Sequence, residues 1–410
     1  MLLCRLQDVA AWLCSAKIDT GHLNDKNLYV VHEKRGRGMT GVSRGKSLTE
    51  QGLRSVAPKG GGTIGSSPFL AAGLETERLR FLDSLKATGI VMVVAIHALT
   101  RVEVDTTSHD LIAFLVGPVA VPLFFLADGY LLSWKWTNTS HFKYKSFIRK
   151  SALRLLIPWA AFTVCYAALR VILEKYELTR ETILLGKDFV SVVQVIYLSD
   201  VSPHMYFLLS LFLVRLGAYG YYKMLRWSMW IWIAVGLSYA GLFYLSHPKD
   251  WFFPGADPVL LACWGGQFYL LGIVLQKGQA FVSAHTGKLF ALCAGITIAL
   301  RFLIPVNMGI ILQMFYLVST YMALLFITDR TRWSFSMGMD SMGIYLLHAP
   351  IVLWGVAAIV TRIVAPGQVL AFGITTCVTV LVSWFGAWLM NKSRVGRLLL
   401  GRPGPIQARS

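Results

Sequence analysis

From Phe81 onward the chain is a succession of long apolar segments separated by short polar loops. Few patterns leave a chain so little choice. A segment of about 20 apolar residues as a helix crosses a hydrocarbon core of about 30 Å, and in lipid a backbone must satisfy its own hydrogen bonds. Ten such segments are expected as helices: 82–101, 111–134, 152–173, 204–223, 227–246, 259–276, 288–304, 308–328, 341–362 and 368–390. The run 189–198 is apolar but too short to span, and is expected as an interfacial or re-entrant helix. The fold class is thus an all-α polytopic membrane protein.

Composition agrees. Of the 410 residues 55% are hydrophobic and 15% charged, against about a quarter charged in soluble domains. Mean hydropathy is +0.57. The net charge of +18 is a matter of topology and not of nucleic-acid binding. Thirty of the 39 Lys and Arg residues fall on one side of the expected spans and eight on the other, with Arg215 inside a span. By the positive-inside rule both termini are expected in the cytoplasm. The six cysteines have neither metal-ligand nor disulfide-framework spacing. Residues 1–76 are polar, with a basic run at Lys34, Arg35 and Arg37; they are expected to be a disordered cytoplasmic extension, or a start placed too far upstream. Residues 77–395 are expected to form the membrane domain and 396–410 a basic cytoplasmic tail.

An ionisable side chain at membrane depth costs a few kcal/mol, so each needs an explanation. In the first span Lys86 and His97 are eleven residues apart, close to a whole number of helical turns, which puts them on one face roughly 16 Å apart along the axis. Asp83 and Arg101 fall near the same stripe. Such a seam suits proton transfer, with His97 as a general base on a hydroxyl; its plain alternative is a neutral histidine bonded between helices. Asp128, in the second span, is expected to orient His97 or to pair with Arg154 or Lys86. Lys143, Lys145, Arg149, Lys150 and Arg154 precede Pro158 in the third span. They satisfy the positive-inside rule and also suit the phosphates of a nucleotide-like donor, which arginine grips bidentately. His204 and Tyr206 open the fourth span, as an acceptor contact or as part of an aromatic belt. Tyr345 and His348 lie with Ser341 on one face of the ninth span, lining a cavity or bonding a neighbouring helix. Arg301 is an acceptor contact or a snorkelling arginine. Metal-binding, P-loop and nucleophile-elbow motifs are missing from the sequence.

In order and spacing these elements resemble the acyltransferase-3 family of integral membrane acyltransferases, which includes O-antigen, exopolysaccharide and enterobacterial common antigen O-acetyltransferases. The resemblance rests on Lys86 to His97, Pro122 to Ser133, Arg149 to Pro158, His204 to Leu208, and Ser341 to Pro350. The family usually has Arg at Lys86 and Ser at Asp128. The resemblance implies transfer of an acyl group, most often acetyl, from cytoplasmic acyl-CoA to a hydroxyl of a cell-surface or lipid-linked carbohydrate, in the cell inner membrane. Lys86, Arg149 and Arg154 would hold the CoA phosphates, His97 would activate the acceptor with Asp128 beside it, and His204, Tyr206, Tyr345, His348 and Arg301 would contact substrate. No metal is implied, and the partners are the lipid bilayer and the carbohydrate acceptor, not nucleic acid. A transporter of a glycan precursor or a proton-coupled solute would use the same seam, although the halves of the chain show no repeat. A sensory or assembly protein would leave the ordered polar motifs unexplained.

Overall fold

A computed structural model describes residues 80–138, 143–177, 182–224, 257–303, 309–331, 336–364 and 367–402. The expected extension 1–76, the span 227–246 and most of the tail 396–410 lie outside the described residues. Helices dominate, as lipid requires. In chain order they are α1 Arg80–Leu99, α2 Thr106–Val116, α3 Pro122–Asn138, α4 Tyr144–Lys175, α5 Phe189–Tyr197, α6 Tyr206–Leu216 and α7 Ala218–Met224. There follow α8 Pro258–Lys277, α9 Gln279–Leu303, α10 Gly309–Thr331, α11 Ser341–Leu347, α12 Leu353–Ile363, α13 Val369–Met390 and α14 Arg394–Leu399. Among the described residues the only β pairing outside helices is an isolated bridge between Val104 and Gly367.

Six helical segments among the described residues are long and apolar enough to cross a membrane: Phe81–Leu99, Tyr144–Lys175, Pro258–Lys277, Gln279–Arg301, Met337–Ile363 and Val369–Met390. Pro203–Leu216 and Leu312–Thr328 are shorter apolar helices. The expected span 111–134 is split into α2 and α3 by a turn over 117–121, where Pro118 has no N–H to continue the helix. The expected 204–223 is interrupted at Gly217 between α6 and α7. The short helix expected at 189–198 is present as α5, with Phe189 and Val190 strongly exposed.

The centre of the bundle is α1, which touches α2, α3, α10, α11, α12 and α13. Between lipid-embedded helices close packing replaces the hydrophobic effect as the main attraction, so contact faces favour small residues. On α13 every fourth residue on the buried face is small: Ala371, Thr375, Thr379, Ser383 and Ala387. Leu381, Phe385 and Leu389 of the same helix are exposed, as a lipid-facing surface should be. A close crossing joins α3 to α8: a methyl group on Gly129 would overlap the Tyr269 carbonyl. Beneath α11, buried Asp340 accepts hydrogen bonds from Trp384 Nε1 (3.1 Å) and Arg402 Nη1 (3.0 Å), fastening the chain after α14 to α13.

Candidate functional site

Three segments distant in sequence each deliver one imidazole to the same place. His97 stands in the last turn of α1. His204 belongs to a single 3-10 turn, Pro203–Met205, immediately before α6. His348 follows α11, where the helix gives way: Ala349 has extended backbone angles (φ −131°, ψ 151°) before the chain resumes as α12. Non-helical backbone at membrane depth is tolerated when it is enclosed by protein, and His348 and Ala349 are buried.

The ring centres of His204 and His348 are 5.0 Å apart, those of His97 and His348 5.3 Å, and those of His97 and His204 6.2 Å. Tyr345 closes one side, 5.4 Å from His204 and 5.9 Å from His348. Tyr166 of α4 closes another, 5.9 Å from His204, with its hydroxyl donating to the Leu346 carbonyl. His97 is half-buried while His204 and His348 are buried.

Hydrogen bonds settle part of the protonation. His348 Nδ1 lies 2.7 Å from the Tyr345 carbonyl oxygen. A carbonyl only accepts, so Nδ1 carries the proton and donates; in the neutral ring Nε2 then keeps its lone pair. His204 Nδ1 is 2.9 Å from Ser202 Oγ. The Nε2 atoms of His204 and His348 are buried with no hydrogen-bond partner among the described residues. A buried nitrogen without a partner is costly and uncommon. Two of them in one cluster mark a place where a substrate group or a water can bond. Among the described residues no three His, Cys, Asp or Glu side chains, these imidazoles included, are placed to share a metal ion.

Of the residues singled out in the sequence, His97, His204, Tyr345 and His348 come together. Tyr206 is buried at the first position of α6, two residues beyond His204. Asp128 is placed differently: the side chain that hydrogen-bonds it is Arg215 of α6, with Arg154 and Lys135 near enough for their charges to act on the carboxylate. Arg215 Nε donates to Asp128 Oδ2 at 2.7 Å and Nη2 donates to Oδ1. The two side chains are 11% and 13% exposed, and Arg215 Nη1 reaches Ser151 Oγ on α4 at 3.4 Å. The pair therefore braces α3, α6 and α4. Lys86 is half-buried on α1, and Arg149 and Arg154 are exposed in the first half of α4. From Arg154 to Tyr166 the rise along α4 is roughly 18 Å, close to the roughly 16 Å between Lys86 and His97. The basic residues thus lie toward one end of the bundle and the imidazoles deep within it. Arg301 lies over the Phe114 ring, 5.4 Å from its centre, away from the cluster's own contacts.

A family model for an acyltransferase domain, acyltransferase-3, matches residues 79–388. The chain belongs to the acyltransferase-3 family. That match takes in every member of the histidine cluster, the Asp128–Arg215 pair and the basic residues of α4. No curated protein and no solved structure matches the chain. Membership makes this a membrane acyltransferase, a multi-pass protein as its apolar helices require.

Sequence reasoning missed Tyr166 and the partner of Asp128. Tyr166 sits in an apolar run with nothing in its neighbours to set it apart. Arg215 did carry a signal, a lone cation within a span facing a lone carboxylate in another, and opposite charges at membrane depth seek each other.

Proposed function

We propose that the protein transfers an acyl group, acetyl as the commonest case, from cytoplasmic acyl-CoA to a carbohydrate hydroxyl, within a ten-span bundle of the cell inner membrane whose termini are both cytoplasmic. The orientation is supported by the asymmetry of Lys and Arg, and the donor by the basic residues Lys86, Arg149 and Arg154 at the end of the bundle that this rule assigns to the cytoplasm. The observation that carries the reading is the convergence of His97, His204 and His348 at the inner end of the seam that starts from Lys86.

His97 acts as the base. It removes the proton of the acceptor hydroxyl as the oxygen attacks the thioester carbonyl carbon. The carbon–sulfur bond then breaks, and the imidazolium returns its proton to the departing CoA thiolate, which restores the starting state. His348 accepts from a bound hydroxyl at its Nε2, and the Nε2 of His204 offers a second contact that holds the acceptor in line. Both carboxylate oxygens of Asp128 are engaged by Arg215, so its role is to brace the helices and not to orient the base.

The test is acyl transfer by membranes containing the wild type or His97→Ala at matched expression, with acetyl-CoA and a glycan extract. Coupled CoA release and acetyl incorporation that vanish in the variant support the reading. Solute flux driven by a proton gradient, without CoA release, would assign the seam to a carrier instead.

A further inference from the structure

The loop from Thr182 and the short helix α5 border an open concavity of about 310 Å³ that the reaction described above does not use. Its walls carry Lys187, Gln194 and Asp200, with Val195 and Leu198 between them. Polar groups set around an aliphatic patch form a surface suited to a sugar, which presents hydroxyls at its rim and C–H groups on its face. Lys187, Gln194 and Asp200 are all exposed, with side chains available to a ligand.

The concavity is held in shape from both sides. Before it, the buried carboxylate of Glu174, at the end of α4, accepts from the backbone N–H groups of Ile183 (2.9 Å), Leu184 (3.1 Å) and Leu185 (2.8 Å), and from Arg170 Nε (2.8 Å). Asp188 then caps α5, accepting from the N–H groups of Val190 and Ser191 and from the Ser191 hydroxyl. These bonds hold the Asp188 carboxyl below the ordinary carboxylate range, so the cap stays charged. At the far end, the Tyr197 hydroxyl donates to Asp257 at the start of α8 (3.3 Å). A loop fixed at this many points arrives with its conformational entropy already spent.

Its position connects it to the reaction. From Asp200 to His204 is four residues, a span of at most about 14 Å even when fully extended, and Ser202 within that stretch holds His204. By a second route, Glu174 is eight residues beyond Tyr166 on α4, roughly 12 Å of rise, and Tyr166 packs on His204. Arg149, by contrast, is 25 residues from Glu174, roughly 37 Å along the helix, more than the thickness of a hydrocarbon core. The concavity therefore lies at the opposite membrane face from the basic end of α4, and close above the imidazoles.

We infer that this concavity binds a sugar unit of the acceptor glycan next to the one that is acylated, with Lys187, Gln194 and Asp200 as its polar contacts. The inference rests on the carbohydrate acceptor of the proposed function and names where that acceptor is selected. A glycan held here reaches the imidazoles from one face while the thioester arrives from the other, so donor and acceptor need not share a route. Glu174 is a positioning residue, acting only through the loop it clasps.

Full-length protein in nanodiscs would be titrated with defined di- to tetrasaccharides containing amino-sugar and uronic units. The wild type would be compared with the exposed-residue variant Lys187→Ala/Gln194→Ala, whose replacements leave the packed core untouched. At least a tenfold weaker binding of the best oligosaccharide by the variant is expected, with the acceptor KM raised to match and kcat within twofold. Equal binding by the two proteins, or no binding by the wild type, would overturn the subsite. CoA release from acetyl-CoA in the same discs, compared with His97→Ala, reports the acyl-transfer reading separately. A failed subsite with intact His97-dependent release is thereby distinguished from a failed reaction.

Discussion

His348 donates from Nδ1 to a backbone carbonyl and leaves Nε2 without a partner among the described residues, 5.3 Å in ring separation from His97, the proposed base. A residue that positions substrate in this way should be replaceable in part. His348→Ala is expected to lower kcat by less than the factor of about a hundred or more lost with the general base itself. His348→Gln, which keeps a polar group at the same reach, should recover part of that loss. Equal inactivation by both variants, with normal expression, would argue that His348 itself moves the proton. The Asp128–Arg215 pair makes a different prediction. Removing one partner of a buried pair strands the other charge, at a cost of about 3–5 kcal/mol, so Asp128→Ala should lower yield and thermal stability in detergent. Arg215→Ala/Asp128→Ala should be more stable than Asp128→Ala alone, and thermal unfolding of the three variants measures this directly. At this scale the sequence was legible where a side chain was out of place in its surroundings, as His97, His204 and His348 are in apolar runs. Tyr166 was not legible, because an aromatic in a membrane helix is ordinary until its neighbours are known. The hydrogen-bonded partner of Asp128 was missed for a related reason: His97, Lys86 and Arg154 were weighed, and Arg215 lay 87 residues away along the chain.

At the scale of elements, α3 and α8 meet at Gly129, where the Tyr269 backbone occupies the space of a side chain. Gly129→Ala must push two backbones apart, and strain of this kind costs about 1–3 kcal/mol. Lower thermal stability with unaltered KM for both substrates is the expected outcome, measured on purified protein. Helix type followed from the apolar runs with little ambiguity, since lipid permits few alternatives. Helix continuity did not. Hydropathy averages over a window and cannot register where a helix is interrupted, so 111–134 and 204–223 read as single spans although each is broken. Pro118 was a visible signal for the first break. The loss of helical geometry at Ala349 had a signal too, since Pro350 pushes the residue before it toward extended backbone; the second break, at Gly217, depends on packing that no local pattern records.

Across the whole molecule the functional groups are ordered along the long axis of α4: Arg149 and Arg154 in its first half, Tyr166 beside the imidazoles further on, and Glu174 with its clasped loop at the end. This order calls for opposite exposure of the two ends. A cysteine introduced at Lys187 should react with a membrane-impermeant maleimide in intact cells, in a background without native cysteines. One introduced at Lys145 should react only after the membrane is opened. The reverse pattern would place both termini outside and remove the cytoplasmic donor. The expected orientation rests on the count of Lys and Arg on the two sides of the expected spans, where many weak preferences act together. The separation of Lys86 and His97 along one helix was legible from their spacing, while the convergence of the imidazoles with one another was not.

The central claim is that the imidazole cluster activates an acceptor hydroxyl toward acyl-CoA. Its most direct measurement follows CoA release and acetyl incorporation together, in membranes holding equal amounts of wild type or His97→Ala and supplied with acetyl-CoA and a glycan extract. The account predicts that both signals appear with the wild type, in equal amounts, and fall by a factor of about a hundred or more in the variant. Incorporation that persists in His97→Ala above the level of membranes lacking the protein would contradict it.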